Sequence, residues 1–239
     1  MLLRLLHQLT NVEWLSMTLS GYLGYLVISR MLKGESTRDS ITDVLFKSGL
    51  ILLGIWKLSP LLLQPSLLSD DSLNLFSFLL SIGTNQGFYM GLVAAVCFVL
   101  WKIQKGIIPA DKFAEVFPFG LLTCFMVFFL LTRNIGTATD WFWGVSIDQS
   151  VNKYHPIGVY QLIFGVSTGA FLALSKRKGS PVSFRSFLIW FSLGQLMMTF
   201  FQFTTPFFMG LSMHQIFYLL VAGISILLPM SGGERKSQS

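Results

Sequence analysis

Seven long apolar runs, separated by short polar stretches, set the pattern of the chain: Trp14 to Ile28, Ile51 to Leu63, Phe88 to Val99, Phe117 to Leu131, Ile157 to Ser175, Phe187 to Phe203 and Gln215 to Pro229. These runs approach the ~20 residues that an α-helix needs to cross a bilayer, and they lack the alternation of outer-membrane barrel strands. The pattern predicts an all-α polytopic membrane helical bundle with seven transmembrane helices, forming one domain over 1–231 with a short tail at 232–239. A shorter apolar stretch, 73–82, lies between Asp70-Asp71 and Gly83-Thr-Asn-Gln-Gly87. It is too short to span and reads as re-entrant or interfacial. The opening MLLRLLHQLTN is too short an apolar run, and lacks the small-residue cleavage site, for a removed signal peptide; it reads as an interfacial turn.

Composition strengthens this reading, because 53% hydrophobic and 12% charged residues over 239 positions exceed what a soluble core could hide. Charge then orients it. Arg30, Lys33, Arg38 and Lys47 follow the first run, Lys102, Lys105 and Lys112 the third, Lys176, Arg177, Lys178 and Arg185 the fifth, and Arg235 and Lys236 the last. All fall on one side of the membrane, which the positive-inside rule makes cytoplasmic, with the N-terminus outside and the C-terminus cytoplasmic. The net charge of +6 follows from that topology and from attraction to anionic membrane lipids, so nucleic acid is not needed as a partner.

Candidate chemistry is sparse. His7, His155 and His214 lack the neighbouring Cys or paired carboxylates of a metal site, and Cys97 and Cys124 fall inside predicted spans as small packing residues. No phosphate loop or nucleophile elbow is present, so neither metal nor cofactor is expected. Lys47 precedes the second run and Lys57 lies within it, as snorkelling cations or, less simply, as a proton relay. Gln195, Thr199 and Gln202 share one face of the sixth run. They fit either interhelical hydrogen bonds or a polar pocket shared with Tyr160 and Gln161.

The stretch KYHPIGVYQ, 153–161, brings His155, Tyr160 and Gln161 to the mouth of the fifth run, with His155 expected to cap that helix and Pro156 in its first turn. It serves either as an interfacial anchor or as a pocket for a lipid headgroup or peptide. Asp140-Trp-Phe-Trp-Gly144 has the composition of a loop resting in the headgroup layer, and the loop joining the last two runs lies on the same outer side. Any site should therefore open outward.

His155-Pro-Ile-Gly-Val-Tyr-Gln161 resembles the His-Pro-x-x-Leu-Tyr-Glu pattern of bacterial prolipoprotein diacylglyceryl transferases, with Val159 for Leu and Gln161 for Glu. Gly210-Leu-Ser-Met-His-Gln-Ile216 is similar to that family's Ser-Met-Gly-Gln-Ile, and Pro118-Phe-Gly-Leu121 to its Pro-x-Gly-Leu. Gly136, Asp140 and Trp143 fall in step with its external loop, so the likeness runs through most of the chain in order. The resemblance implies a multi-pass protein of the bacterial cytoplasmic membrane that moves a diacylglyceryl group from phosphatidylglycerol to the lipobox cysteine thiol of prolipoprotein signal peptides. His155 and Arg133 would be catalytic; Lys57, Tyr89, Tyr160, Gln161 and Gln202 would bind substrate.

Departures from the family pattern accompany this likeness. Tyr89 stands for a third-span histidine, Phe125 for a fourth-span arginine, Arg133 for an acid, and Met198 and Gln202 for an arginine and glutamate pair. Lys57 keeps the charge of the second-span arginine, and a gapped alignment would put Arg133 at the fourth-span arginine instead. The expected function is thus a divergent transferase, with a non-catalytic relative binding phospholipid or lipoprotein precursors as the alternative, and a small transporter or scaffold as a third reading.

Overall fold

The computed structural model describes residues 13–63, 83–132, 134–146, 151–178 and 183–227. The expectations for the N-terminal turn, for Asp70, Asp71 and the 73–82 segment, for Arg133, and for the 232–239 tail lie outside these residues. The described chain is helical: α1 (Glu13–Met31), α2 (Arg38–Leu63), α3 (Asn85–Gln104), α4 (Ala110–Leu131), α5 (Ile157–Arg177), α6 (Phe184–Thr199) and α7 (Met213–Leu227). Two short antiparallel strands, β1 (Val145–Ser146) and β2 (Lys153–Tyr154), lie between α4 and α5. Helices α2, α3, α4 and α5 are long and apolar enough to cross a membrane, whereas α7 is apolar but shorter.

Several helices extend beyond the apolar runs, α4 starting at Ala110 and α3 ending at Gln104, and two further boundaries show the physical reason for the difference. Helix α2 starts at Arg38 rather than near Ile51, because Arg38 to Lys47 is amphipathic: Ile41, Thr42 and Val44 are buried while Lys47 stays exposed in an i,i+4 pair with Asp43 at 2.7 Å. Helix α6 stops at Thr199 instead of running to Phe203, and the carbonyl of Phe201 accepts the Thr137 N–H at 2.8 Å.

The chain divides into two compact units, Tyr25–Val116 and the remainder. In the first, Gly83, Gly87, Gly91 and Ala95 recur every four residues, and all four are buried. A Cβ at Gly87 would overlap Ser59, and one at Gly91 would lie 2.7 Å from the Leu52 carbonyl oxygen. Small residues thus let the backbones of α2 and α3 approach closely, which is how helices associate where lipid removes the hydrophobic driving force. Pro60 lies inside α2 and has no N–H for the carbonyl of Trp56 one turn earlier. Ser59 supplies the missing donor, its Oγ–H bonding that carbonyl at 2.6 Å. With that hydrogen committed, Ser59 Oγ accepts from the Thr84 N–H at 3.1 Å and the Thr84 hydroxyl at 2.8 Å, while Thr84 Oγ1 accepts from the Gly87 N–H at 3.0 Å and caps α3.

The second unit is apolar at its centre. Leu122, Leu172, Phe187 and Phe191, contributed by α4, α5 and α6, form a buried cluster with Phe125 and Phe164 packed against it. Phe125 meets Phe191 edge to face at 4.9 Å, a favoured aromatic geometry. The N-terminal half of α1 crosses α4 closely, since a Cβ on Gly24 would lie 2.6 Å from the Gly120 oxygen. At the start of α7, Ser212 and Gln215 form a reciprocal capping box: the Ser212 N–H donates to Gln215 Oε1 at 2.8 Å and the Gln215 N–H to Ser212 Oγ at 3.3 Å.

Candidate functional site: an aromatic cleft at the start of α5

The segment between α4 and α5 is held to the chain that follows α6. Gly136 N–H donates to the His155 carbonyl at 2.8 Å, His155 N–H to the Thr137 carbonyl at 3.0 Å, and Thr137 N–H to the Phe201 carbonyl. Gly136 is required here: a Cβ would overlap the Phe201 oxygen and lie 3.0 Å from the His155 Cβ. This ladder places His155 against Phe201, with ring centroids 5.0 Å apart, and the side chain is 8% exposed.

His155 does not cap α5, contrary to the sequence expectation. Pro156 holds the N-cap position, with no side-chain cap bond, and the first helical residue is Ile157. The imidazole turns instead to Tyr160, whose hydroxyl lies 2.9 Å from Nδ1. The indole N–H of Trp143 donates to the same hydroxyl at 2.8 Å. An indole nitrogen can only donate, so the Tyr160 oxygen accepts from Trp143. The Tyr160 hydroxyl meets Nδ1 in one of two ways: it donates to Nδ1, with the imidazole proton on Nε2, or it accepts from Nδ1–H. Trp143, Tyr160 and His155 form one hydrogen-bonded chain in either case.

Around this chain lies a cleft of about 460 Å³, lined by Trp141, Trp143, His155, Tyr160, Ile163, Phe164, Ser167, Met198 and Phe201. The volume lies within the usual range for small-molecule sites, ~300–1,000 Å³. Tyr160, Ile163, Phe164 and Ser167 share one face of α5, so helical spacing could have found this wall once Tyr160 was singled out. Trp141 and Trp143 pack edge to face at 4.4 Å. The tryptophan-rich loop was legible as an interfacial segment; that it lines a cleft depends on the 134–155 ladder, which no local pattern announces.

No family model, curated protein or solved structure matches the chain. The site therefore rests on its own geometry. His155 and Tyr160 are brought together in the cleft. Gln161 is buried beside it, its side-chain amide in a reciprocal pair with Gln195, both bonds 2.8 Å. Of the two readings open for the sixth-run polar face, that pair realises the interhelical one for Gln195. Thr199 is buried with its hydroxyl on the Leu196 carbonyl, and Gln202 lies beyond the end of α6. Lys57 and Tyr89 lie on α2 and α3 of the first unit, both partly buried. Met198 stands in the cleft wall, whereas Phe125 is packed against the apolar cluster.

Proposed function

We propose that the protein is a multi-pass bacterial cytoplasmic-membrane protein, a divergent relative of the prolipoprotein diacylglyceryl transferases, that binds a membrane lipid by its polar end at His155 and does not transfer it. The seven apolar runs and the one-sided basic residues support seven spans with the N-terminus outside. The single observation that carries the binding reading is the lining of the cleft, which sets His155 and Tyr160 among aromatic and aliphatic side chains with no carboxylate, lysine or arginine among the described residues. A thiol is activated by a base with a lone pair facing it, because the thiolate is the nucleophile. In the tautomer where Tyr160 donates to Nδ1, Nε2 bears the proton and is a donor suited to a lipid oxygen.

The replaced family positions point the same way. Phe125, in the ungapped register with the fourth-span arginine, packs against Phe191. Gln161, at the glutamate of the His-Pro pattern, is engaged by Gln195. Met198, near the sixth-span arginine, is a neutral thioether in the cleft wall.

An active transferase using phosphatidylglycerol and a lipobox peptide is the second reading, favoured by the position of His155 in a cleft at the start of α5. In it His155 and Arg133 carry catalysis. One experiment separates the two. Purified protein, His155→Ala and an authentic transferase are assayed for movement of a labelled diacylglyceryl group to a lipobox peptide, while co-purified lipid is measured in parallel. Binding predicts no product, and lipid affinity lowered roughly three- to tenfold in His155→Ala, the loss of one hydrogen bond. Product that vanishes in the variant would establish transfer.

A further inference from the structure

We infer that the lipid held in this cleft has an uncharged head, a diacylglycerol, in preference to an anionic phospholipid; the inference rests on the lipid-binding reading above. Among the described residues, the lining of the cleft contains no lysine or arginine. Two of its hydrogen-bonding groups are occupied: the Trp143 N–H bonds the Tyr160 hydroxyl and that hydroxyl bonds His155. The Trp141 indole, the Ser167 hydroxyl and the far nitrogen of the imidazole are the other polar groups of the lining. The Gln161 amide, which could have turned to a ligand, is paired with Gln195. Lys153 lies on the separate, smaller cleft of about 200 Å³ that it lines with Asp140, Thr139 and Asn152.

A phosphodiester entering such a site would give up hydration and meet no lysine or arginine among the described lining residues, whereas buried charge is stable only when paired and fully hydrogen-bonded. A glyceride head carries hydroxyl and ester oxygens and no charge. It needs one donor and loses little water. Below the imidazole, Ile163, Phe164 and Met198 offer an apolar wall for an acyl chain. Trp141 and Phe201 stand beside the imidazole, with ring centroids 6.3 Å and 5.0 Å from it.

The test uses the full chain in non-ionic detergent micelles with bound radiolabelled diacylglycerol, displaced by unlabelled diacylglycerol or by phosphatidylglycerol. Ile163→Trp, which fills the cleft from a side chain that is 60% exposed and so spares the core, sets the background. Diacylglycerol should displace the label at least about tenfold more effectively than phosphatidylglycerol, and the variant should retain none. Equal or better displacement by phosphatidylglycerol overturns the inference and leaves lipid binding intact. Loss of that anionic preference in Arg133→Gln would then name the cation responsible. Failure of the wild type to retain either lipid above the variant's background overturns the lipid-binding reading, and this inference with it.

Discussion

The α2–α3 pair and the cleft at α5 both build hydrogen-bonded chains on hydroxyl-bearing side chains, and they use them in opposite ways. Around Ser59 and Thr84 the network is closed: the Ser59 hydrogen goes to Trp56, the Thr84 hydrogen to Ser59, and the Thr84 oxygen takes the Gly87 N–H. The glycine stripe removes the space in which a ligand could lie. Around Tyr160 the network ends on an imidazole, and large rings replace glycines, so the walls stand apart. Closure gives rigidity; an unfinished chain gives a site. Polarity alone does not separate the two. What separates them is whether the last donor or acceptor is used within the protein.

The sharpest way to break the closed side is Gly87→Leu. Its Cβ would overlap Ser59, and overpacking at a backbone contact should destabilise by about 3 kcal/mol or more, read as loss of folded protein in a denaturant titration in micelles. Gly136→Ala tests the frame of the open side. It should cost about 1–3 kcal/mol and abolish lipid retention, because the new methyl pushes on the Phe201 carbonyl and the His155 Cβ. A variant that keeps lipid at wild-type level would show that the 134–155 ladder does not position the imidazole.

Gln161→Leu leaves Gln195 buried without its partner and should cost about 1–3 kcal/mol, whereas Gln161→Leu with Gln195→Leu should recover much of the loss. Additive losses in the double-mutant cycle would contradict a mutual pair. Tyr160→Phe should have the smallest effect on stability, about 1 kcal/mol, but the most informative readout. Nitrogen NMR of His155 should show the Nε2–H tautomer in the wild type and a mixture in the variant. A wild-type imidazole protonated at Nδ1 alone would reverse the direction of the chain and restore the base required for thiol chemistry.

Much of the helical layout was legible, because apolar runs near 88–99, 117–131 and 157–175 have the length and hydropathy that α3, α4 and α5 display. The early start of α2 was less so. Arg38 to Lys47 is half polar, and its buried stripe of Ile41 and Val44 carries too little apolar mass to register as a span. The glycine stripe at Gly83, Gly87, Gly91 and Ala95 was readable from spacing alone, yet its partner positions on α2 were not. Within the site, His155 and Tyr160 were identifiable from a nine-residue stretch. Trp143 and Phe201 were not, since they arrive through hydrogen bonds between segments far apart in sequence. The Ser-Met-His-Gln stretch, noted for its likeness to a family motif, has a local role: Ser212 and Gln215 form a capping box at the start of a helix.

The Gln161–Gln195 pair also bears on how the chain is made. An unpartnered amide entering hydrocarbon costs roughly 2–7 kcal/mol, so on the proposed seven-span reading neither α5 nor α6 would enter a bilayer comfortably alone. The two helices are consecutive in the chain, joined across 179–182, and each amide is the other's remedy. On the seven-span reading, helix α5 is therefore expected to wait beside the insertion machinery until α6 emerges from the ribosome. The pair would then leave for lipid as one hairpin, its register set by the two amides.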